Sequence, residues 1–199
     1  MSFDLSNFDT SNVTDMSSMF YNLENLEYLN LSGLNTSNVT NMSNMFNNCA
    51  KIKNINVSSF NTSKVQYMAQ MFCRCESLKS LDLSNFDTRN VTSMREMFVF
   101  CTSLTDVDLS SFELNPAGNV EVSNMFSRCG NLKTIYASAN FDNTKITVSS
   151  EELYSMFHYN NNLVGGAGTA YSNDNRSTLY ARIDDPANGK PGYFTLKQN

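Results

Sequence analysis

The apolar positions of this chain fall into columns that repeat every 26 residues. A Met-Phe pair occurs at Met19 and Phe20, Met45 and Phe46, Met71 and Phe72, and Met97 and Phe98. It returns at Met125 and Phe126 and at Met156 and Phe157, after steps of 28 and 31 residues. Leu29, Ile55, Leu81 and Val107 share one column, and Leu5, Leu31, Val57, Leu83 and Leu109 another. Phe8, Leu34, Phe60, Phe86 and Phe112 form a third, Val13, Val39, Val65 and Val91 a fourth, and Ser6, Ser32, Ser58, Ser84 and Ser110 a polar one. Self-similarity at a period of roughly 20–50 residues predicts a solenoid, in which a unit buries its apolar face only when neighbours stack on it.

Two hydrophobic periods alternate within a unit. Leu81 and Leu83 flank Asp82, the period of two expected of a short strand with one buried face. Val13, Met16, Met19, Phe20 and Leu23 then follow at helical spacing. The Val-x-x-Met part fits either a helix or extended chain, whereas the Ser-x-Met-Phe part predicts a short helix, with Thr10, Ser11 or Thr14 capping its start. Six coils of short parallel strand plus short helix result, an α/β solenoid over residues 1–163 with strands about 4.8 Å apart.

Beyond residue 163 the period is lost, and residues 164–199 hold five of the eight Gly and two of the three Pro. Residues 178–184 and 192–196 predict two strands around a turn at residues 185–189, a β-rich C-terminal cap. At the other end the chain enters at the strand position of a unit, so the array is expected to continue upstream. No charged-then-apolar leader opens the sequence.

Composition changes this picture little. Asn, Ser and Thr fill 70 of 199 positions while charged residues reach only 17%, and the columns show many of these polar residues copied once per unit. The net charge of -5 argues against nucleic acid, which demands clustered Lys and Arg. No apolar run of about 18 residues is present, so membrane insertion is not expected.

The unit LDLSNFDTRNVTSMREMF (residues 81–98), followed by Cys101 and Leu104, resembles the bacterial surface-protein 26-residue repeat, a branch of the BspA-like leucine-rich repeat proteins. The resemblance covers about residues 3–163. It implies a leucine-rich-repeat-like solenoid on secreted or wall-attached bacterial proteins, often in adhesion, with no catalytic residues. The usual leucine-rich pattern carries Asn or Cys where this chain has Leu34, Phe60 and Phe86, so the Asn ladder and strong curvature of that pattern are not expected.

Candidate chemistry is sparse. Cys49, Cys75, Cys101 and Cys129 share a column with Leu23, which predicts buried thiols; Cys73 lies outside it. A disulfide between stacked cysteines and a metal site are the alternatives, and neither a companion His nor a paired C-x-x-C supports the latter. His158, the only histidine, has no nucleophile at a suggestive spacing. Nine N-x-S/T sequons occur, eight of them within the repeats and too close for glycans on every coil.

The outward strand positions give a candidate ligand strip: Asp4, Tyr28, Asn30, Asn56, Asp82, Asp106, Asp108 and Tyr136. The alternative is a solvated polar face. Asp82 and Asp108, one strand apart, should repel, which points to a cation or a basic partner. The lengthened steps place enlarged loops at residues 113–119 and 140–147. The expected function is a non-enzymatic recognition or adhesion module, secreted or at the cell surface, needing no cofactor or metal. It would act as a monomer on a protein or glycan of a host or neighbouring cell. A structural spacer displaying another domain is the alternative, and an enzyme a more distant one.

Overall fold

The computed structural model describes residues 2–5, 8–141, 143–147 and 155–198, the side chains of 2–4 excepted. Its main departure from the expected architecture lies in the Met-Phe segment. Among the described residues this segment contains no α-helix; it runs as overlapping turns. In the second unit the N–H of Met45 donates to the carbonyl of Met42, that of Asn47 to Asn44 and that of Cys49 to Phe46. Asn44 (φ 59°) and Asn48 (φ 62°) take the third place of their turns in the left-handed region, as type II turns require. The same pair of positions is left-handed at Ser18 and Asn22, Gln70 and Arg74, Glu96 and Phe100, and Asn124 and Arg128.

An α-helix would return every N–H to its own chain. Here alternate N–H groups leave the unit instead. Those of Met68, Gln70, Phe72 and Arg74 donate to the carbonyls of Ser93, Arg95, Met97 and Val99 of the next unit, at 2.7–3.0 Å. The equivalent set of four joins the first unit to the second, the second to the third and the fourth to the fifth. Parallel bridges Asp15–Asn41, Asn41–Tyr67, Tyr67–Ser93 and Ser93–Glu121 mark the start of this ladder. Overlapping turns still bring positions i, i+3, i+4 and i+7 to one side, so Met68, Met71, Phe72 and Cys75 are all buried. That shared periodicity is why the segment reads as a helix.

The strand side is less continuous than expected. β1 (Ser2–Asp4) pairs in parallel with β2 (Tyr28–Asn30), with Asp4 opposite Asn30. β3 (Asp106–Leu109) pairs with β5 (Thr134–Ala137), and β5 with β7 (Phe194–Leu196), all parallel. The equivalent residues 54–57 and 80–83 keep the exposed-buried alternation but form no strand. Asn54, Asn56, Ser80 and Asp82 are poor strand formers beside the Thr134, Ile135 and Tyr136 of β5. Two further short strands, β4 (Val120–Glu121) and β6 (Ile146–Thr147), join the two enlarged loops to each other.

Three side-chain columns bind the units together. The rings of Phe20, Phe46, Phe72, Phe98, Phe126 and Phe157 stack in series, with centroids 5.3–6.1 Å apart and planes within 8° of parallel. Thr10, Thr36, Thr62 and Thr88 are buried and do not cap a helix. Each hydroxyl bridges to the next unit; Thr62 donates to the carbonyl of Asp87 (3.0 Å) and accepts from the Asp87 N–H (2.8 Å). The cysteine thiols form the third column: Cys49, Cys75, Cys101 and Cys129 donate to the carbonyls of Phe20, Phe46, Phe72 and Phe98 of the preceding unit. Asn160 takes the slot in the last unit, where its amide donates to the carbonyl of Phe126.

At the C-terminal end, Tyr193 and Phe194 meet Phe157 edge-on at 5.0 and 6.2 Å. Residues 192–196 contain β7 as expected. Residues 178–184 do not form the second strand; they hold a 3-10 turn at Thr178–Tyr180 and a single bridge from Ile183 to Phe194. The reason is the Asp184 carboxylate, which is buried and accepts from the N–H groups of Ala167, Thr169 and Gly192. A Cβ on Gly165 would lie 2.2 Å from the Gly192 carbonyl, so Gly165 is required for this close crossing.

Replacing Phe72 in the middle of the ring stack by Ala should destabilise the protein by about 3–5 kcal/mol, because the cavity has neighbours on both sides. A thermal melt unchanged by Phe72→Ala would contradict the stacked arrangement.

Candidate recognition face

The strand positions turn every second side chain outward, and the chemistry of the strip follows from what each meets there. Asn30, Asn56, Asp82 and Asp108 each accept the N–H of the serine two residues on, at 2.9–3.1 Å. These Asx turns follow the outward-facing position of each unit. Ser32 and Ser58 also donate their hydroxyls to the same Asn30 and Asn56 oxygens. One polar atom of each of these four side chains is therefore committed to the fold.

The eight strip residues are not brought into one site. Tyr28, Asn30 and Asn56, with Asn54, Ser32 and Ser58, line a shallow cavity of about 300 Å³ on the strand face of the second and third units. Tyr28 is 63% exposed at its edge. Tyr136 lies against a separate depression with Lys133, Asn162 and Thr195. The Asp4 side chain lies outside the described residues, although its backbone pairs with Asn30. Asp106 accepts the hydroxyl of Thr105 at 2.8 Å.

The expected repulsion between Asp82 and Asp108 is largely resolved within the chain. Lys197 Nζ sits 3.1 Å from Asp108 Oδ2 and 4.7 Å above the Tyr136 ring. Partial burial alone would raise the Asp108 carboxyl, but Ser110 and Lys197 hold it below the usual range. Asp82 is lowered by the Ser84 hydrogen bonds, against a weak opposing push from Asp108. The basic group inferred from the acidic pair is supplied by the chain itself, through the parallel arrangement of β7 beside β5.

A separate surface, on the Met-Phe segment, carries a feature that the sequence columns hold but do not announce. Arg74, Phe100, Arg128 and Tyr159 follow one another at the second left-handed position of successive units. The guanidinium carbons of Arg74 and Arg128 lie 4.6 and 5.2 Å from the Phe100 centroid, and Arg128 is 4.7 Å from that of Tyr159. His158 stacks on Tyr159 at 3.9 Å; burial and the charges of Arg176 and Arg128 hold its imidazole below the usual range. Large side chains in one repeat column were the available signal.

Among the described residues no group of three or more His, Cys, Asp or Glu is disposed to hold a metal ion, and no helix is long and apolar enough to cross a membrane. All five cysteines are buried free thiols.

Residues 1–112 and 53–165 match a family described as "Mycoplasma protein of unknown function, DUF285". The chain belongs to the DUF285 family. No curated protein and no solved structure matches it. In DUF285 terms the matched residues span the six Met-Phe units and stop at the start of the Gly-rich segment.

Burial also sets the reactivity of the thiol column. Desolvation pushes Cys49 and Cys73 up to about 11 and Cys129 to about 12, and raises Cys75 and Cys101 well above the ordinary thiol value. The unfolded chain's thiols ionise near 9.0 while the folded ones stay protonated, so their contribution to stability is full below pH 9. It is lost as pH rises from there through about 11. The melting temperature should fall across that window, and less steeply in Cys75→Ala. Thiol titration should find five groups in denaturant and almost none in the native protein; five groups reacting natively would contradict the column.

Proposed function

We propose that the chain is a non-enzymatic recognition or adhesion module of an extracellular bacterial protein, with its units stacked as a solenoid of the BspA-like type. The partner is a protein or glycan of a host or neighbouring cell, bound by the monomer on the strand face. The observation that carries this is the cavity lined by Tyr28, Asn30, Asn54 and Asn56, where an exposed aromatic edge stands beside amides held in place by their own Asx turns. Amides fixed by the backbone lose little freedom on meeting a polar ligand, and tyrosine supplies contact area at low entropic cost. Adhesion is supported by the same polar, low-charge composition on every unit, which suits many weak contacts along one surface.

The spacer reading is favoured by one specific observation, namely that Asn30, Asn56, Asp82 and Asp108 all serve turns. The two readings separate by experiment. The purified chain would be tested on immobilised matrix proteins and host-cell glycans, beside a Tyr28→Ala, Asn56→Ala variant and an Asp82→Lys, Asp108→Lys variant. Loss of Tyr28 and Asn56 should weaken binding at least about tenfold, while the variant stays folded and its melting temperature falls only by what the lost Asn56 turn contributes. If the unaltered chain binds none of the panel, the spacer reading stands; if it binds and both variants bind as well as it does, the strand face is not the site.

A further inference from the structure

We propose that the Met-Phe side, independently of the strand face, carries a binding strip for a linear acidic polysaccharide, read by Arg74 and Arg128. In a chain of net charge -5, these two arginines stand in line on one face, and among the described residues neither forms an ion pair. Arg89, Arg95 and Lys197, by contrast, each hold a carboxylate. Arg74 and Arg128 approach the Phe100 ring from the preceding and the following unit, and Arg128 also covers Tyr159.

Stacking uses the flat face of a guanidinium and leaves its N–H edge open, and that edge is the fork that takes a carboxylate or sulfate in two parallel hydrogen bonds. The rings thus hold two anion-binding forks in a fixed orientation before any ligand arrives. Their left-handed backbone is held by the ladder: the N–H of Arg74 donates to Val99 (2.7 Å) and that of Arg128 to His158 (2.7 Å). Arg176 adds positive charge, since it and Arg128 both act on His158.

Beside Arg74 the surface opens into a polar groove of about 410 Å³ lined by Asn44, Asn47, Asn48 and Gln70 as well as Phe100. Glu96 also lines it, but is engaged by Arg95 and by the amide of Gln70. Amides that donate and accept suit sugar hydroxyls, and forks two units apart suit a chain whose anionic groups recur at intervals. Nucleic acid is disfavoured, because two forks on an acidic protein displace few counterions.

The test is binding of the full chain to immobilised heparin and to hyaluronate, with neutral dextran as the control polymer. Binding to at least one acidic polymer and not to dextran is expected, weakening as salt rises. Preference between heparin and hyaluronate reports whether the forks take sulfate or carboxylate. Arg74→Ala with Arg128→Ala should lose at least about tenfold in affinity at an unchanged melting temperature, Arg74→Lys with Arg128→Lys should recover only part of it, and Arg89→Ala should change little. The proposal is overturned if no acidic polymer binds, if the double alanine variant binds as the unaltered chain does, or if single-stranded RNA binds as tightly as the polysaccharides. Because Tyr28 and Asn56 line a separate cavity, their variants should leave this binding unchanged.

Discussion

Everything in this molecule depends on where the alternate N–H groups of the Met-Phe segment find their acceptors. Within a unit, overlapping turns satisfy only every second one. The others need the carbonyls of the next unit, and a buried N–H left without a partner costs about 1–3 kcal/mol. Left-handed backbone at two positions per unit aims those groups outward, at about 1–2 kcal/mol per residue for a side chain other than glycine. A side chain as bulky as Phe100 accepts that conformation because the ladder over-determines it. A unit of this kind has no independent existence.

The ladder also explains the period and its exceptions. Met68 donates to Ser93 and Phe72 to Met97, each 25 residues on. Where the step lengthens, the bonded partners stay the same: Phe98 donates to Met125, and Phe126 to Met156. The added residues are expelled into the two enlarged loops, which pair with each other through β4 and β6. Ring stacking and the threonine bridges reinforce the same step, since each also links a residue to its counterpart one unit away.

Much of this was legible in the sequence, because repetition turns one-dimensional spacing into three-dimensional columns. The apolar columns are buried except in the first unit, where Phe8 and Met19 are exposed, and the slot that accepts both Leu23 and Cys49 contains thiols that behave as small core groups. The turn segment reads as a helix because turns and helices place side chains at the same i, i+3 and i+4 positions; only the donors' destinations differ, and sequence does not display them. A clue was present in the Asn and Ser at left-handed positions, which favour turns over helices. The strip was located by alternation, but its division between Tyr28 and Asn56 on one side and Asp108 with Lys197 on the other depended on β7, far away in sequence. The arginine and aromatic column went unnoticed because its residue types alternate. The abundance of Asn, Ser and Thr, finally, reports turn chemistry repeated in every unit.

The most direct measurement is native-state hydrogen exchange resolved to single amides across the third and fourth units. The amides of Met68, Gln70, Phe72 and Arg74 should exchange only through global unfolding, while those of residues 54–57 and 80–83 should exchange faster. Equal protection of every amide from Met68 to Arg74 together with full protection of residues 54–57 would instead indicate a helix packed on a continuous sheet, and would contradict the ladder.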